Sequence, residues 1–436
     1  MNIARYYATI ILKKVLNDKR HLNYLMQDYI HRIGDGRDKR FLTELILGTL
    51  RWLGGLDRVL RQYLNRSFDE LNPFVLNNLR RAVYEYFFLK KPSYAVVNEA
   101  VEVIKKMKFF DEIALTNAVL RKIIENSESI RFEPLRDTLN EYLLNKWLKN
   151  FGKEKTSRII EHFLKPAPLY IWKTRRISSE EFESLLKKEG IDFERVPFLR
   201  DCYKLSRYPR NIDRVYFRIQ DLSTQIISDI FLRLPGDGMV LDPFCGTGGK
   251  TLYNINFSPN FNLWVCSELK HKRLRRFCNF LNLLFSPYDI CSRVLILKGD
   301  FRFIDFKCSF DKILLDVPCS GTGTFRRKPD LKWKLSFEYI KKISQFQLEA
   351  LRKAFKYLKK GGYILYTTCT LEKEENEEVV ENFLKIESNA VLVGPLEFLN
   401  GAYGNFNKFI FDGKFIKINF LHLDCDYSFG AIIKKT

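Results

Sequence analysis

Apolar residues recur at helical spacing over residues 4–16, 40–53, 75–89, 96–108 and 113–124. That period predicts helices, each with one buried face. Glycine and proline punctuate the runs at Gly34, Gly36, Gly54, Gly55, Pro73 and Pro92. Residues 139–163 extend the helical pattern as one or two further helices, until Pro166-Ala167-Pro168 breaks it. The period then shortens. Residues 169–174, 193–196 and 203–205 read as short strands around a helix at 178–189, with Ser178 or Ser179 as its cap. After a helical run ending at Leu234, short apolar runs at 239–242, 263–268, 294–297 and 312–316, and a fifth following Gly361-Gly362, read as buried strands. Helices are expected between them at 248–256, 270–284, 336–358 and 376–386, and two last strands at 415–420 and 429–433. Strands alternating with helices at this spacing predict a doubly wound, Rossmann-like α/β sheet. The expected organisation is an all-α domain over residues 1–130, a linker and small α+β module over 131–235, and an α/β domain over 236–436.

Composition narrows the class. Apolar residues make up 46% of the chain, enough for full cores. No apolar run approaches the length of a membrane span, and the N-terminal apolar stretch is expected to be an amphipathic helix without a cleavage site. Nine cysteines occur without a Cys-x-x-Cys pair or zinc-ligand spacing. Neither disulfides nor a metal are expected, and a reducing, cytoplasmic setting fits. The net charge of +21 is spread along the chain and favours a polyanionic partner, nucleic acid first. Lys173, Arg175 and Arg176 could contact phosphate or form a solvated basic edge.

Three segments carry chemistry. The first is the Gly-rich loop from Asp242 to Lys250, between the first strand and its helix. Its glycines allow close backbone approach to a ligand, but it lacks the first glycine of a Walker A loop. Glu268, ending the second strand, is expected to take two ribose hydroxyls. Asp300, after the third strand, is placed to accept from an adenine amino group, and Asp316 ends the fourth. One acid after each of these strands is the layout of an S-adenosylmethionine site.

The second and third segments contribute thiols. Asp316-Val317-Pro318-Cys319 follows the fourth strand, and Cys369 ends the fifth. Amino-group methyltransferases carry an aromatic residue where Cys319 stands, because an amine is already nucleophilic. A pyrimidine C5 carbon becomes nucleophilic only when a thiolate adds to C6, which requires cysteine. In a sheet of order 3-2-1-4-5 the fourth and fifth strands are neighbours, so Cys319 and Cys369 would open onto one cleft. The other seven cysteines lack such a pairing and read as small core or surface residues.

Residues Gln220-Asp221-Leu222-Ser223-Thr224-Gln225, the loop through Gly248-Gly249-Lys250, Asp316-Val317-Pro318-Cys319-Ser320-Gly321-Thr322-Gly323, Arg326-Arg327-Lys328-Pro329-Asp330, and the run TTCTLEKEEN from Thr367 to Asn376 resemble the NOL/NOP2/Sun family of RNA 5-methylcytosine methyltransferases. In the first loop the chain reads Phe244-Cys245-Gly246-Thr247-Gly248-Gly249-Lys250 where that family usually reads Cys-Ala-Ala-Pro-Gly-Gly-Lys, with the proline lost at Thr247 and a glycine gained at Gly246. The first third resembles the helical RNA-binding domain of the antitermination factor NusB. The matching residues there include Lys39-Arg40-Phe41, Leu79-Arg80-Arg81-Ala82, Val97-Asn98-Glu99-Ala100-Val101 and Asn117-Ala118-Val119-Leu120. The resemblance implies S-adenosylmethionine as cofactor and ribosomal RNA, free or in a partly assembled small subunit, as partner of a monomeric enzyme. It implies Cys369 as the nucleophile toward cytosine C6, Cys319 as the thiol engaged in product release, and Asp316 on the cytosine edge. Phe244, Cys245, Gly246, Thr247, Gly248, Gly249, Lys250, Glu268, Asp300 and Asp316 would form the cofactor site. Lys250, Arg326, Arg327 and Lys328 would meet the RNA backbone. An amino-group methyltransferase, a DNA C5-methyltransferase with Cys319 as attacker, and a non-catalytic RNA-binding relative remain as alternatives.

Overall fold

The computed structural model describes residues 2–236, 238–285, 290–399 and 401–436. Two compact units emerge. One comprises Met1–Lys165 with Phe325–Ser336, the other Pro166–Thr324 with Phe337–Thr436. This division differs from three consecutive stretches. The helix Glu141–Leu164 belongs with the N-terminal helices, and the small α+β module belongs with the large sheet.

The first unit is helical. The five periodic runs become Ile3–Leu16, Gly36–Arg51, Pro73–Phe87, Ser93–Lys106 and Ile113–Glu125, joined by Leu22–Ile30 and Leu53–Tyr63. Start signals are local: Asn2 and Asn72 each accept from a first-turn backbone N–H, and Pro73 opens its helix. A β-carbon on Gly48 would fall 2.0 Å from the Tyr84 ring, so only glycine lets helices 36–51 and 73–87 come this close. Helix Pro73–Phe87 is buried on several faces and carries charge inside. The Arg81 guanidinium, fully buried, donates to Glu85 at 2.6 Å and to Asn78 at 2.7 Å, and Arg5 Nε donates to Glu85 at 2.9 Å. Burial pushes Arg81 down to about 10, while Glu85 acts the other way and keeps it charged. Glu85→Ala would take the carboxylate from the fully buried Arg81 and leave the partly exposed Arg5 with Glu99 at 3.7 Å. A loss of about 3–5 kcal/mol is expected, read as a lower urea midpoint of the full chain. A loss under about 1 kcal/mol would mean that the cluster contributes no net stability.

Residues 325–336 interrupt the α/β unit in sequence and fold with the helices. Phe325 stacks on Trp147 with ring centroids 5.9 Å apart. Trp333 Nε1 donates to the Leu50 carbonyl at 2.7 Å, and Lys332 Nζ to that of Arg51 at 2.8 Å. Arg326 is buried, and its Nε donates to the Lys165 carbonyl at 3.1 Å. Arg326, expected at RNA phosphate, thus has its guanidinium turned inward, onto the Lys165 carbonyl and, at 3.4 Å, the His162 ring nitrogen. Arg327 and Lys328 are half-buried beside it.

The second unit opens with β1 (Leu169–Lys173), β2 (Phe193–Arg195), β3 (Cys202–Leu205) and β4 (Phe217–Ile219), an antiparallel sheet of order β2-β3-β1-β4. Helix Ser179–Lys188 starts with a capping box between Ser178 and Glu181 and buries Phe182 and Leu186 with Ile171, Tyr203 and Phe217. Lys173 is buried and donates to the Ile177 carbonyl at 2.8 Å, so it is not part of a solvated edge.

The large sheet contains β5 (Met239–Asp242), β6 (Leu263–Glu268), β7 (Val294–Lys298), β8 (Phe310–Asp316), β9 (Leu358–Thr368), β10 (Ala390–Val393), β11 (Phe411–Asp412), β12 (Phe415–Lys417) and β13 (Phe429–Lys435). Its first five strands run parallel in the expected order, β7-β6-β5-β8-β9. Beyond β9 the sheet turns antiparallel through β13 and β12 to β11, with β10 also pairing β13. Leu241, Ile313, Leu315, Ile364, Tyr366, Leu351 and Phe383 are among the fully buried residues of the core between sheet and helices. Burial on both faces is why these strands read as continuous apolar runs. Among the described residues no helix is long and apolar enough to cross a membrane.

Candidate active site

The site lies at the carboxyl ends of β5, β6, β8 and β9, where loops leave the sheet. β5 ends at Asp242, whose carboxylate is buried and accepts from Thr251 Oγ1 at 2.5 Å and Phe244 N at 3.3 Å. Burial pushes Asp242 up to about 7. Its bonds hold both ends of the loop, whose turn is made by Gly246 (φ 58°) and Gly248 (φ 78°). A β-carbon on Gly248 would collide with the Phe277 ring at 2.1 Å, and one on Gly246 would meet nothing closer than 3.9 Å. Thus Gly246, one of the departures from the family pattern, occupies a left-handed position that glycine takes without strain. Phe244 packs edge-on against Phe301 and Phe346. The Cys245 thiol is buried against Cys266. Thr247 is half-buried, and Gly249 opens the following helix.

Glu268 ends β6 with one carboxylate oxygen accepting from Lys270 N at 2.7 Å and the other 3.8 Å from Arg273. Asp300 is gripped by Arg302, whose Nε and Nη2 approach at 3.1 and 2.6 Å. That hydrogen-bonded fork holds the Asp300 carboxyl below the usual carboxylate range. Gln220, whose sequence signal is only its place in the Gln220–Gln225 motif, has a buried Nε2 donor without a hydrogen-bond partner, 3.6 Å from where a β-carbon on Gly249 would sit. An unfilled donor facing an open glycine loop, with a carboxylate ending the next strand, fits the carboxylate and the ribose of S-adenosylmethionine. Glu268→Ala is expected to weaken cofactor binding by about 1–3 kcal/mol in titration calorimetry. Unchanged affinity would remove the ribose assignment.

The parallel register of β8 and β9 sets Asp316 opposite Thr367. The two loops that follow therefore leave the sheet side by side, and Val317 N and Gly323 N donate to the Thr367 and Cys369 carbonyls at 3.2 and 3.0 Å. The Cys319 and Cys369 sulfurs lie 3.2 Å apart. The hydrogen bond with Cys369, and then burial, push the Cys319 thiol well above its ordinary range. Lys250, expected at the RNA backbone, instead donates to Asp316 at 2.6 Å. Burial opposes its charge, but Asp316, Cys369 and Asp242 outweigh burial and raise its pKa. Below both thiol loops lies another residue not singled out from the sequence, the buried Glu375. Its one signal was a place in TTCTLEKEEN, where three glutamates at a helix start look like ordinary charge on the N-terminal dipole.

Comparison with known proteins fits this arrangement. The family described as "16S rRNA methyltransferase RsmB/F" matches residues 229–407, and the NusB family matches residues 2–125. The ribosomal RNA small subunit methyltransferase B of Pseudomonas putida is 30% identical over 390 residues, covering 87% of this chain and 88% of that protein. Its counterpart in Proteus mirabilis is 28% identical over 401 residues, covering 88% and 92%. The crystal structure of PH0851 shares the fold along 99% of both chains, with a TM-score of 0.79 at 21% identity. A methyltransferase homolog protein from Pyrococcus horikoshii aligns with 68% of this chain and 95% of its own, with a TM-score of 0.55 at 26% identity. Fold, site and relatives together define an S-adenosylmethionine-dependent rRNA methyltransferase. The chain belongs to the RsmB/F family and carries a NusB-family domain at its N-terminus.

Proposed function

We propose that the chain methylates C5 of a cytosine in small-subunit (16S) ribosomal RNA through a transient bond between Cys369 Sγ and C6 of the base. The observation that carries this reading is the 3.2 Å approach of two thiols at the ends of neighbouring strands, beside the Lys250–Asp316 pair. An amino-group methyltransferase has no use for either thiol. Addition of the Cys369 thiolate to C6 moves the C5–C6 electron pair toward the ring's polar edge; Asp316 would accept from the exocyclic amino group on that edge, and the Lys250 ammonium bonded to Asp316 would offset the developing negative charge. S-adenosylmethionine, when bound, supplies the electrophilic methyl group that C5 takes up. Release then requires a base to take the C5 proton: the C5–H electron pair re-forms the C5–C6 double bond, the S–C6 bond breaks and its pair returns to Cys369, and the Cys319 thiolate would be the base that takes the proton. The target base must leave its stack to reach the cleft.

Bisulfite mapping of ribosomal RNA from cells with and without the protein tests the reading. One protected cytosine that disappears with the gene is expected. An unchanged 16S map would refute the substrate.

A further inference from the structure

One carboxylate grips the residue after each thiol. Glu375 is fully buried on the 3-10 turn Lys373–Glu375 that follows β9. Four donors from three segments converge on its two oxygens. Ser320 N donates to Oε2 at 2.8 Å, and the Ser320 hydroxyl donates to Oε1. Thr370 Oγ1 reaches Oε1 at 3.2 Å, and Gln347 Nε2 reaches Oε2 at 3.0 Å. Ser320 directly follows Cys319, and Thr370 directly follows Cys369. The two hydroxyl oxygens lie 2.7 Å apart over the same carboxylate. Gln347 also donates to the Pro318 carbonyl at 2.9 Å, so the residue before Cys319 is fixed by the same cluster. Tyr366, inside β9, donates to the Glu375 carbonyl at 2.6 Å and ties the turn to the sheet.

We infer that Glu375 is a positioning residue for the methyl-transfer reaction: it clamps the Cys319 and Cys369 loops against each other and so sets the spacing of the two sulfurs. A carboxylate suits the task because it accepts four hydrogen bonds and donates none. Its burial is tolerable only because every acceptor site is used, and burial raises its pKa. The inference rests on the two-thiol mechanism proposed above, since only that mechanism makes the sulfur spacing matter.

The clamp makes a specific demand on substitutions. In Glu375→Gln the amide oxygen can face Ser320 N and Gln347, while its NH2 group donates to the Ser320 and Thr370 hydroxyls, which can reverse to accept. Glu375→Gln is therefore expected to retain activity within about threefold, with the clamp intact. Glu375→Ala leaves the donors without an acceptor and frees both loops. Its kcat is expected to fall about a hundredfold, with the KM for RNA and the calorimetric affinity for S-adenosylmethionine unchanged.

Thiol spacing is read directly by oxidation with diamide and peptide mass mapping of the Cys319–Cys369 disulfide. Its rate should be high in the wild-type chain and in Glu375→Gln, and at least about tenfold lower in Glu375→Ala. Should Glu375→Ala fail to fold, the pair Ser320→Ala with Thr370→Val removes the hydroxyl bridge while keeping the carboxylate, and the same fall in oxidation rate is expected. Wild-type oxidation rate and kcat in Glu375→Ala, or in the pair where that variant does not fold, would overturn the inference. Full activity in Cys369→Ala would instead overturn the two-thiol mechanism, whatever Glu375 does.

Discussion

Cys369→Ala is expected to abolish methyl transfer, a loss of at least about 10⁴-fold. Without sulfur on C6 the C5 carbon has no electron pair to offer, and the thiol that remains, Cys319, is assigned to release and not to attack. Cofactor and RNA should bind the variant as before, since neither the glycine loop nor Glu268 depends on that thiol. Cys319→Ala is expected to fail differently. The attacking thiol remains, so the bond to C6 forms, but its breakage is hindered and a protein–RNA adduct accumulates. That adduct should run as a slow, nuclease-sensitive band on a denaturing gel. Adduct in Cys369→Ala and none in Cys319→Ala would exchange the roles of the two thiols. Activity in both variants would dispose of the C5 chemistry.

The parallel core of the fold was legible because it is buried on both faces. Continuous apolar runs ending in turn residues located β5 to β9 to within a few residues, and the strand order alone put Cys319 and Cys369 on one cleft. The antiparallel extension was only partly visible. β10 and β11 are short and half-exposed, so they carry no strong pattern. β9 begins at Leu358 and takes in Gly361-Gly362, which read from the sequence as a turn before the strand. The register shift between Phe310 and Lys312 in β8, opposite this glycine pair, marks the irregular pairing that local pattern does not show.

What the sequence concealed was long-range. Arg326, Arg327 and Lys328 look like a solvated basic loop, since three consecutive cations are seldom buried. Arg326 is buried because residues 325–336 fold with the helical unit, and nothing within those residues announces that partner. Phe325 and Trp333 were the available hint: two large aromatics flanking a basic run need somewhere to go. Glu375 was hidden for the opposite reason. Acidic residues at a helix start are ordinary, and its role depends on two hydroxyls, one in its own loop and one 55 residues away.

Lys250→Met is expected to lower kcat by about a hundredfold to a thousandfold at neutral pH and to move the rising limb of the pH–rate profile to higher pH. The ammonium is bonded to Asp316 at 2.6 Å, and Cys369 is among the groups that favour its charge. That attraction is mutual, so the cation favours the thiolate at Cys369. Around it stand Asp316 and Asp242, both acidic, with Cys319 in contact with Cys369 and Glu375 clamping the residues that follow both thiols. Removing that cation takes away the charge that offsets the carboxylates beside Cys369. Its thiolate then forms only at higher pH, and Asp316 loses the partner that orients it toward the base. Lys250→Met with Asp316→Asn separates the two effects. Removing both charges should bring the pH limb back toward its original position while kcat at the plateau stays low, because the hydrogen bond to the ring edge is weakened. A Lys250→Met enzyme with the wild-type limb and plateau would show that the pair merely fills space beside the thiols.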